Sequence, residues 1–590
     1  MNFSVVDYVV FIGYIVFIVA LGLWVSREKK GHKKDSKDYF LASKALPWWA
    51  VGASLIAANI SAEQVIGMSG SGFVIGLAIA SYEWMAALTL VIVAKYFLPI
   101  FLEKGIYTMP QFLEIRYDRR VRTGLAVFWL LLYIFVNLTS VLYLGALSLR
   151  TIMGVPLFWG VIGLAVFSAL YTIYGGLKAV AWTDVVQVVV LIGGGLVTTV
   201  LALNALSDGN GVIAGFSDLL ARAPDKFDMI LDLDHPNYKE LPGIGVLIGG
   251  MWIANLFYWG CNQYITQRAL ASKNLREAQR GLAFAGYLKV LMPLIVVIPG
   301  IAAFVLGSDQ IAKPDEAYPW LLSTFVPIGL KGLAFAALIA AIVSSLSSMV
   351  NSTATIFSMD IYKQMIREQA SETELVFSGR IASAIALIIA VLIAPQLSTL
   401  EQAFQYIQEY TGFVSPGIFA IFIYGLFWKK ATTNSALTAA LLTIPLSAGF
   451  KYLFPALPFL DRMALIFLIL SVFVIAITLY ETKGKSEEII KSDRRLFVPL
   501  AISIVALVAI LWGINAIYTP ERSFAEMTVA LFPIFSTVTL IAIVWTLYKS
   551  KGQHAKAILF TKDYFKTGPV FNALAIGIAG ILAFLYIYFW

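Results

Sequence analysis

The chain has very little cysteine, histidine and charge. Of its 590 residues one is cysteine, Cys261, and three are histidines, His32, His235 and His554. A single thiol excludes an internal disulfide framework or iron–sulfur site, and histidines so far apart in sequence argue against a histidine-based metal site. Only 13% of the residues are charged and 59% are hydrophobic, whereas roughly a quarter of a soluble domain is charged. The composition predicts an all-α polytopic membrane protein.

Sixteen apolar segments are candidates to cross the membrane. They lie at about 5–25, 47–75, 78–102, 122–149, 157–175, 180–204, 244–267, 282–307, 322–358, 378–394, 399–427, 434–453, 460–480, 497–517, 524–547 and 571–590. With this count the basic loop clusters, which explain the net charge of +8, fall on one side, and the positive-inside rule makes that side cytoplasmic. The 205–243 loop, with seven acidic and three basic residues, falls on the other. We therefore expect a protein of the cell (inner) membrane with both termini extracellular or periplasmic, and no nucleic-acid partner.

One predicted span contains polar residues that are costly in hydrocarbon. Between about residues 46 and 77 the chain is apolar except for the stretch from Asn59 to Gln64. Such residues are reasonable if the helix is broken there and its free backbone groups face a buried site. The letters of 56–60 recur weakly at 252–256, five spans later. Five helices per repeat place the two copies in opposite directions, which predicts an inverted repeat with its binding site at the interrupted helices.

The polar residues of these spans are the candidate binding residues. They are Asn59, Ser61, Glu63, Gln64 and Glu83 in the first repeat, and Asn255, Tyr258, Trp259, Asn262, Gln263, Lys289, Gln408 and Glu409 in the second. Each amide is as compatible with joining helices as with ligand contact. The lone charges of Glu83 and Lys289 need a partner or a wet cavity, and we expect them to pair with each other.

These side-chain types favour a neutral, hydroxyl-rich substrate. Amides, a carboxylate and an ammonium supply donors and acceptors, while Tyr258 and Trp259 supply flat apolar faces for the C–H side of a sugar ring. A carboxylate substrate would call for an arginine, and Arg268 falls at a span end. The residues therefore favour a hexose.

The serine-rich segment 340–348 has two interpretations. Small residues at helical spacing are typical of close helix packing. Alternatively, the hydroxyls of Ser344 and Ser345, with backbone carbonyls freed where the second span breaks, form a neutral cage of oxygens that suits a monovalent cation better than Ca²⁺. Asp184 either attracts that cation from the cytoplasmic side or caps the helix that follows Thr183.

Several long motifs resemble one family. They are GASLIAANISAEQVIGMSGSG (52–72), ASYEWM (80–85), NLTSVLYLG (137–145), WTDVVQ (182–187), FAALIAAIVSSLSSMVNSTATIFSMDIY (335–362) and FQYIQEYTGFVSPG (404–417). Through them the chain resembles the sodium/solute symporter family, and above all its galactose-transporting members. The resemblance implies a LeuT-type core of five plus five inverted helices. It divides the chain into an extra N-terminal helix and loop (1–45), a first repeat (46–205), an extracellular loop (206–243), a second repeat (244–428) and peripheral C-terminal helices (429–590).

The resemblance also implies roles for individual residues. It assigns substrate contacts to Gln64, Glu83, Asn255, Tyr258, Lys289 and Gln408. It assigns gates to Asn59, Met68, Tyr82, Tyr258, Trp259 and Phe404. It assigns sodium binding to Ala57, Ile60, Ala341, Ser344 and Ser345, with Asp184 on the exit path.

The implied function is a sodium-coupled symporter, not an enzyme, that imports a hexose such as galactose or glucose. The galactose-transporting members have a serine where this chain has Ala86, which keeps another neutral solute, inositol or a non-sugar, as the alternative. The segments at 497–517 and 524–547 have no counterpart in those members. A membrane-embedded enzyme is disfavoured because the acidic residues of the 205–243 loop are scattered instead of paired.

Overall fold

A computed structural model describes residues 4–27, 35–399, 403–455, 457–483, 524–550 and 552–590. In these ranges the chain is mainly helical, and an isolated β-bridge joins Leu46 to Ser272. Eleven of the described helices are long and apolar enough to cross a membrane, or up to twelve if a bent pair of helices forms one span. The predicted all-α membrane fold is confirmed.

The helices of the first half of the chain are numbered α1 to α10. They are α1 (Val5–Val25), α2 (Ser36–Leu41), α3 (Trp48–Asn59), α4 (Glu63–Val74), α5 (Leu77–Glu103), α6 (Met109–Arg116), α7 (Arg119–Met153), α8 (Leu157–Gly175), α9 (Leu177–Leu206) and α10 (Val212–Arg222). Helix α10 lies within the 207–243 loop.

The second half of the chain contributes helices α11 to α23. They are α11 (Ile244–Ile248), α12 (Gly250–Cys261), α13 (Gln263–Leu270), α14 (Leu275–Gly307), α15 (Ala317–Phe325), α16 (Leu330–Ile366), α17 (Glu372–Ser398), α18 (Ala403–Gly412), α19 (Ser415–Phe427), α20 (Thr433–Leu453), α21 (Phe459–Glu481), α22 (Phe524–Lys549) and α23 (Pro569–Tyr588).

Helix α16 forms the centre of the molecule. Almost all of its apolar stretch is buried inside the protein, because alanines and serines let neighbouring helices approach closely. Gly194 of α9 sits where an added Cβ would lie 2.7 Å from the Cβ of Ala337, so this contact requires glycine. Close packing of the serine-rich segment, one of its two interpretations, is thus present.

The predicted break in the second span is confirmed. Helices α3 and α4 are bent by 66° at a short interruption after Asn59, where Ile60 has extended backbone angles. The N–H of Ser61 would donate to the carbonyl of Ala57 in a continuous helix, but it donates to Oε1 of Gln64 at 3.2 Å. The side chain of Gln64 therefore accepts the hydrogen bond that the carbonyl of Ala57 would accept in a continuous helix.

The span at 244–267 is also interrupted. It consists of the three short helices α11 to α13, and Asn262 is extended between the last two. The break lies further along the chain than Asn255, where the repeated letters place it. The side chain of Asn255 explains the difference. It donates to the carbonyl of Met251 at 3.2 Å and accepts from Nε1 of Trp259 at 3.2 Å, so its polar atoms are satisfied while the helix continues.

The predicted boundaries need correction in two further places. The 399–427 span is divided between α18 and α19, with Pro416 in the first turn after the break. The 322–358 segment is not one continuous helix, because α15 ends at Phe325 and α16 begins at Leu330. The 497–517 segment lies outside the described residues, so the count of sixteen spans stays a prediction.

Hydrogen bonds join the segments near the two ends of the chain to two different parts of the molecule. The backbone N–H groups of Gly329 and Gly332 each donate to Oδ1 of Asp7 at 2.8 Å. The N–H of Met229, in the 207–243 loop, donates to the carbonyl of Phe589 at 2.8 Å. Gly329 and Met229 lie in loops on the same face, since two crossings, one of them interrupted, separate them.

Candidate functional site

A buried pocket lies where the interrupted helices meet. Every residue that the sequence assigns to substrate contact or to a gate lines it, together with Ala86: Asn59, Gln64, Met68, Tyr82, Glu83, Asn255, Tyr258, Trp259, Lys289, Phe404 and Gln408. The residues come from α3, α4, α5, α12, α14 and α18, so the pocket is bounded by parts of both predicted repeats. The geometry brings the candidates together, and their individual roles stay predictions.

A chain of polar contacts crosses one wall of the pocket. Nζ of Lys289 donates to Oε2 of Glu83 at 2.5 Å and to Oδ1 of Asn59. Nδ2 of Asn59 donates to the hydroxyl of Tyr258 at 2.9 Å, and that hydroxyl contacts the hydroxyl of Tyr264. The expected pairing of Glu83 with Lys289 is confirmed. Because both charges are almost fully buried, each requires the other.

Aromatic rings close the pocket at two places. The rings of Tyr82 and Phe404 meet edge to face with centroids 5.4 Å apart. The rings of Tyr258 and Trp259 meet at 5.2 Å, and Nζ of Lys289 lies 5.1 Å from the Trp259 ring. The pocket thus combines flat apolar faces with clustered hydrogen-bonding groups.

The structure adds pocket residues that the sequence reasoning left without a role. Oε1 of Glu63 accepts a hydrogen bond from Oγ of Ser140 at 2.8 Å, and both side chains are buried. Asn137, one turn before Ser140 in α7, also lines the pocket, and among the described residues its buried Oδ1 has no hydrogen-bond partner. The only sequence signal for Asn137 and Ser140 was the motif NLTSVLYLG, which contains both, whereas Glu63 belongs to the polar stretch of the broken span.

The candidate cation ligands lie where α16 passes the break after α3. Oγ of Ser345 donates to the carbonyl of Ala58 at 2.9 Å, which joins the two elements directly. The carbonyl of Ala57 gives up its usual backbone donor to Gln64, as described above. The carbonyl freed in this way and the lone pairs of the neighbouring hydroxyl oxygen are the kind of oxygen donors that a monovalent cation takes.

Asp184 is part of this arrangement and is not a helix cap. It lies inside α9, which begins at Leu177, so the capping interpretation is wrong. Its two carboxylate oxygens accept hydrogen bonds from Oγ of Ser344 and from Oγ of Ser54, each at 2.5 Å. Both partners are fully buried, and a negative charge therefore lies directly behind the candidate cation ligands.

Arg268 is less peripheral than its place in the sequence indicates. It lies near the end of α13, yet its side chain is fully buried, with Nη2 at 3.8 Å from Oδ2 of Asp184. It also donates to the carbonyl of Tyr264 and to Oγ of Ser348. Its positive charge therefore lies next to the carboxylate of Asp184, and its side chain does not line the pocket.

Interrupted helices around a polar pocket between repeats define the class of secondary active transporters. The sequence pattern of the sodium:solute symporter family matches residues 39–443, and the chain belongs to this family. Its members are transporters and not enzymes, and sodium is the coupling ion.

Two relatives are similar over most of the chain. The sodium/glucose cotransporter of Vibrio parahaemolyticus is 52% identical over 561 residues, which cover 92% of this chain and 98% of the relative. The sodium/myo-inositol cotransporter 2 of Oryctolagus cuniculus is 35% identical over 460 residues, 73% of this chain and 67% of the relative.

The fold is also that of a solved transporter. The structure described as a substrate-bound outward-open state of a Na⁺-coupled sialic acid symporter superposes with a TM-score of 0.71 at 24% identity. The match covers 81% of this chain and 98% of the other. The expected LeuT-type fold is confirmed.

Proposed function

We propose that this protein imports a hexose such as galactose or glucose together with sodium by alternating access. The observation that carries the proposal is the buried pocket in which amides, an ion pair and aromatic faces converge beside a broken helix. The ion pair makes Glu83 and Lys289 jointly neutral. A neutral solute with many hydroxyls fits such a lining better than an anion does. The sodium/glucose cotransporter among the relatives supports the same substrate class.

In this proposal the sugar hydroxyls contact Gln64, Glu83, Asn255, Lys289 and Gln408. These are groups that can donate or accept as a ring of hydroxyls requires. In the absence of sugar Lys289 donates one hydrogen bond to Glu83. The ammonium group has further N–H donors and the carboxylate has further acceptor lone pairs, and these can bind a ligand. Burial strengthens every such bond, because the local dielectric is low.

The proposal assigns the aromatic residues of the pocket to two gates. Tyr258, held by Asn59 and flanked by Trp259, forms the inner gate and stacks on the apolar face of the sugar. The edge-to-face pair of Tyr82 and Phe404, with Met68 beside it, forms the outer gate. Transport requires that the two gates open in alternation.

Sodium takes the oxygens at the junction of α3 and α16. The ligands are the carbonyls of Ala57, Ile60 and Ala341 and the hydroxyls of Ser344 and Ser345. The hydrogen bond from Ser345 to the carbonyl of Ala58 supports this junction as the site. Asp184 adds a negative charge next to Ser344 and lies on the path by which sodium leaves.

We also propose how the chain is organised in the membrane. The two five-helix repeats are 46–205 and 244–428, the helices of 1–45 and 429–590 are peripheral, and the intervening loop is extracellular. Both termini face outside or the periplasm. The contacts of Asp7 and Phe589 with loops of one face support this arrangement.

The driving force is sufficient for accumulation. One charge crossing 100 mV supplies about 2.3 kcal/mol and a tenfold sodium gradient about 1.4 kcal/mol. Together they sustain a sugar gradient of roughly several hundredfold at one sodium per sugar.

Uptake by the purified protein in liposomes tests the function. Labelled galactose or glucose should accumulate when a sodium gradient points inward, and accumulation should collapse when potassium replaces sodium. Gln64→Ala should abolish this uptake while the protein still elutes as a single species. Sugar uptake that does not respond to the sodium gradient would overturn the proposal.

A competition panel separates the second candidate substrate. Myo-inositol is also a neutral ring of hydroxyls, and one of the relatives is a sodium/myo-inositol cotransporter. Galactose, glucose and myo-inositol are added unlabelled against labelled sugar. Stronger competition by myo-inositol than by either hexose would show that myo-inositol, and not a hexose, is the preferred substrate.

A further inference from the structure

A second cavity lies behind the substrate pocket, outside the transport site. It has a volume of about 270 Å³ and is bounded by α5, α14, α23 and the 207–243 loop. Its lining is almost entirely apolar, with Trp84 from α5, Leu294 from α14, Phe227 from the loop and Leu585 from α23 among its residues. Trp84 follows Glu83 in the chain, so the two cavities share the wall that holds the buried ion pair.

The walls of this cavity are held by hydrogen bonds that leave its surface apolar. Nε1 of Trp84 donates to the carbonyl of Val290 at 3.3 Å, which turns the polar atom of the indole into the wall. The hydroxyl of Tyr586 donates to Oγ of Ser81 at 3.0 Å and joins α23 to α5. The cavity is therefore part of the folded structure and not a gap between loosely placed helices.

The cavity opens toward the hydrocarbon of the membrane. Leu294, on the membrane-spanning helix α14, lines it and is 46% exposed. Along α14 the lining runs from Tyr287 to Ile298. At 1.5 Å per residue this is about 17 Å, close to half of the roughly 30 Å hydrocarbon core. The cavity thus has the length of one leaflet.

A positive charge lies at the loop end of the cavity. Lys226 precedes Phe227 in the chain, and its Nζ lies 4.5 Å from the ring centroid of Phe304, further along α14 than Ile298. A phosphate at the membrane surface would meet this ammonium group, whereas an acyl chain would extend from it along the apolar lining.

We propose that the cavity binds an acyl chain of a phospholipid from the leaflet on the side of the 207–243 loop, with the lipid phosphate beside Lys226. The length of the slot, its opening in a membrane-spanning wall and the charge at its end all match this one occupant. The proposal does not depend on which solute the protein carries.

Retention of lipid by the purified full-length protein tests the proposal. Native mass spectrometry should find a phospholipid bound to the wild type after detergent extraction. Leu294→Trp, which fills the mouth of the slot, should lose it. The matched control is Ile385→Trp on α17, because Ile385 is 51% exposed at a lipid-facing position outside the slot. Equal retention by both variants, or a wild type that retains only detergent, would overturn the proposal.

A second measurement covers the case in which Leu294→Trp fails to fold. The wild type and Trp84→Phe are reconstituted in vesicles of phosphatidylcholine with brominated acyl chains. Bromine quenches tryptophan fluorescence at contact, so the wild type should lose more emission than Trp84→Phe, even though Trp84 is buried. An equal fractional loss would show that no acyl chain enters. Lys226→Gln should weaken retention of anionic phospholipids more than of neutral ones.

Discussion

At the scale of single residues, the pairing of Glu83 with Lys289 governs the substrate pocket. Both side chains are almost fully buried, and the ammonium group is shared with Asn59. A buried ion pair contributes little net stability, but removal of one partner leaves an uncompensated charge in a medium of low dielectric. The pair therefore adds polar groups to the pocket without adding a net charge of its own.

Single substitutions of this pair should destabilise the protein more than the double substitution. Glu83→Gln and Lys289→Met are each expected to lower the free energy of unfolding by about 3–5 kcal/mol, because each leaves one buried charge. Glu83→Gln/Lys289→Met should recover most of that loss and still not transport sugar. Thermal unfolding in detergent measures stability, and liposome uptake measures transport.

The double variant is itself the control for this prediction. If the double variant is less stable than either single variant, the two charges do not compensate each other. If it transports sugar normally, the pair has no part in binding.

Ala86 is the residue at which substrate preference should be adjustable. It lines the pocket one turn from Glu83, where the galactose-transporting members of the family have a serine. Ala86→Ser adds a hydroxyl worth about 0.5–1.5 kcal/mol, so the preference for galactose over glucose should rise by about 2- to 12-fold. The ratio of KM values in competitive uptake measures the change. Ala87→Ser, at a buried neighbour outside the pocket lining, should leave the ratio unchanged.

At the scale of helices, the junction of α3 with α16 should set the response to sodium. Ser345→Ala removes the hydroxyl that joins α16 to the carbonyl of Ala58. With one oxygen ligand lost, we expect half-maximal uptake to need roughly tenfold more sodium, which corresponds to about 1.4 kcal/mol. Sodium titration of uptake measures the shift. Thr353→Ala is the matched control on α16, because that hydroxyl bonds the carbonyl of Met349 in its own helix. Equal sodium curves for the two variants would contradict the assignment.

A second prediction at this scale concerns the loop between α22 and α23. The N–H of His554 donates to the carbonyl of Lys429 at 2.8 Å, and Nζ of Lys556 donates to the carbonyl of Glu114 at 3.0 Å. Burial lowers the pKa of His554 from 6.5 to about 4, and the charges of Arg116 and Lys556 act in the same direction. The loop is therefore docked with a neutral imidazole.

Acid should release this loop. The unfolded loop binds a proton at higher pH than the docked one, so docking is fully stable above about pH 6.5 and loses stability as pH falls toward 4. The protection factors of residues 552–560 in hydrogen exchange, which correct for the slower intrinsic exchange in acid, should fall between pH 7.5 and 5. His554→Gln should flatten that dependence, whereas His235→Gln in the opposite loop should not change it. A loop equally protected at both pH values would contradict the prediction.

Sequence reasoning was most successful where burial makes a residue type costly. The stretch from Asn59 to Gln64 predicted a broken helix, and the lone charges of Glu83 and Lys289 predicted their pairing. It was less successful for contacts between distant segments. Nothing in the sequence relates Glu63 to Ser140, and of the two interpretations of Asp184 the helix cap was wrong because its helix begins earlier, after Gly176. Gly176 has a positive φ, so that one helix ends there and the next begins. The residues around Gly176 in the sequence do not predict this boundary.

At the scale of the whole molecule, the orientation in the membrane can be tested with engineered thiols. The native Cys261 is fully buried. Leu233→Cys in the 207–243 loop and Trp590→Cys at the C-terminus replace residues that are 55% and 62% exposed. Both should react with a membrane-impermeant maleimide on intact cells. Arg367→Cys, in the loop between α16 and α17, should react only after permeabilisation, and the reverse pattern would invert the proposed orientation.

The break after α3 has a thermodynamic consequence for the whole transport cycle. Proposed sodium ligands and proposed sugar contacts lie within the single stretch from Ala57 to Gln64, where the side chain of Gln64 holds the N–H of Ser61. Binding of either ligand therefore orders the same backbone, and linkage requires that each raises the affinity of the other by an equal factor. With these proposed ligands, we expect sodium to dissociate more readily in the absence of sugar. The same reciprocity limits slippage, the futile passage of sodium without cargo.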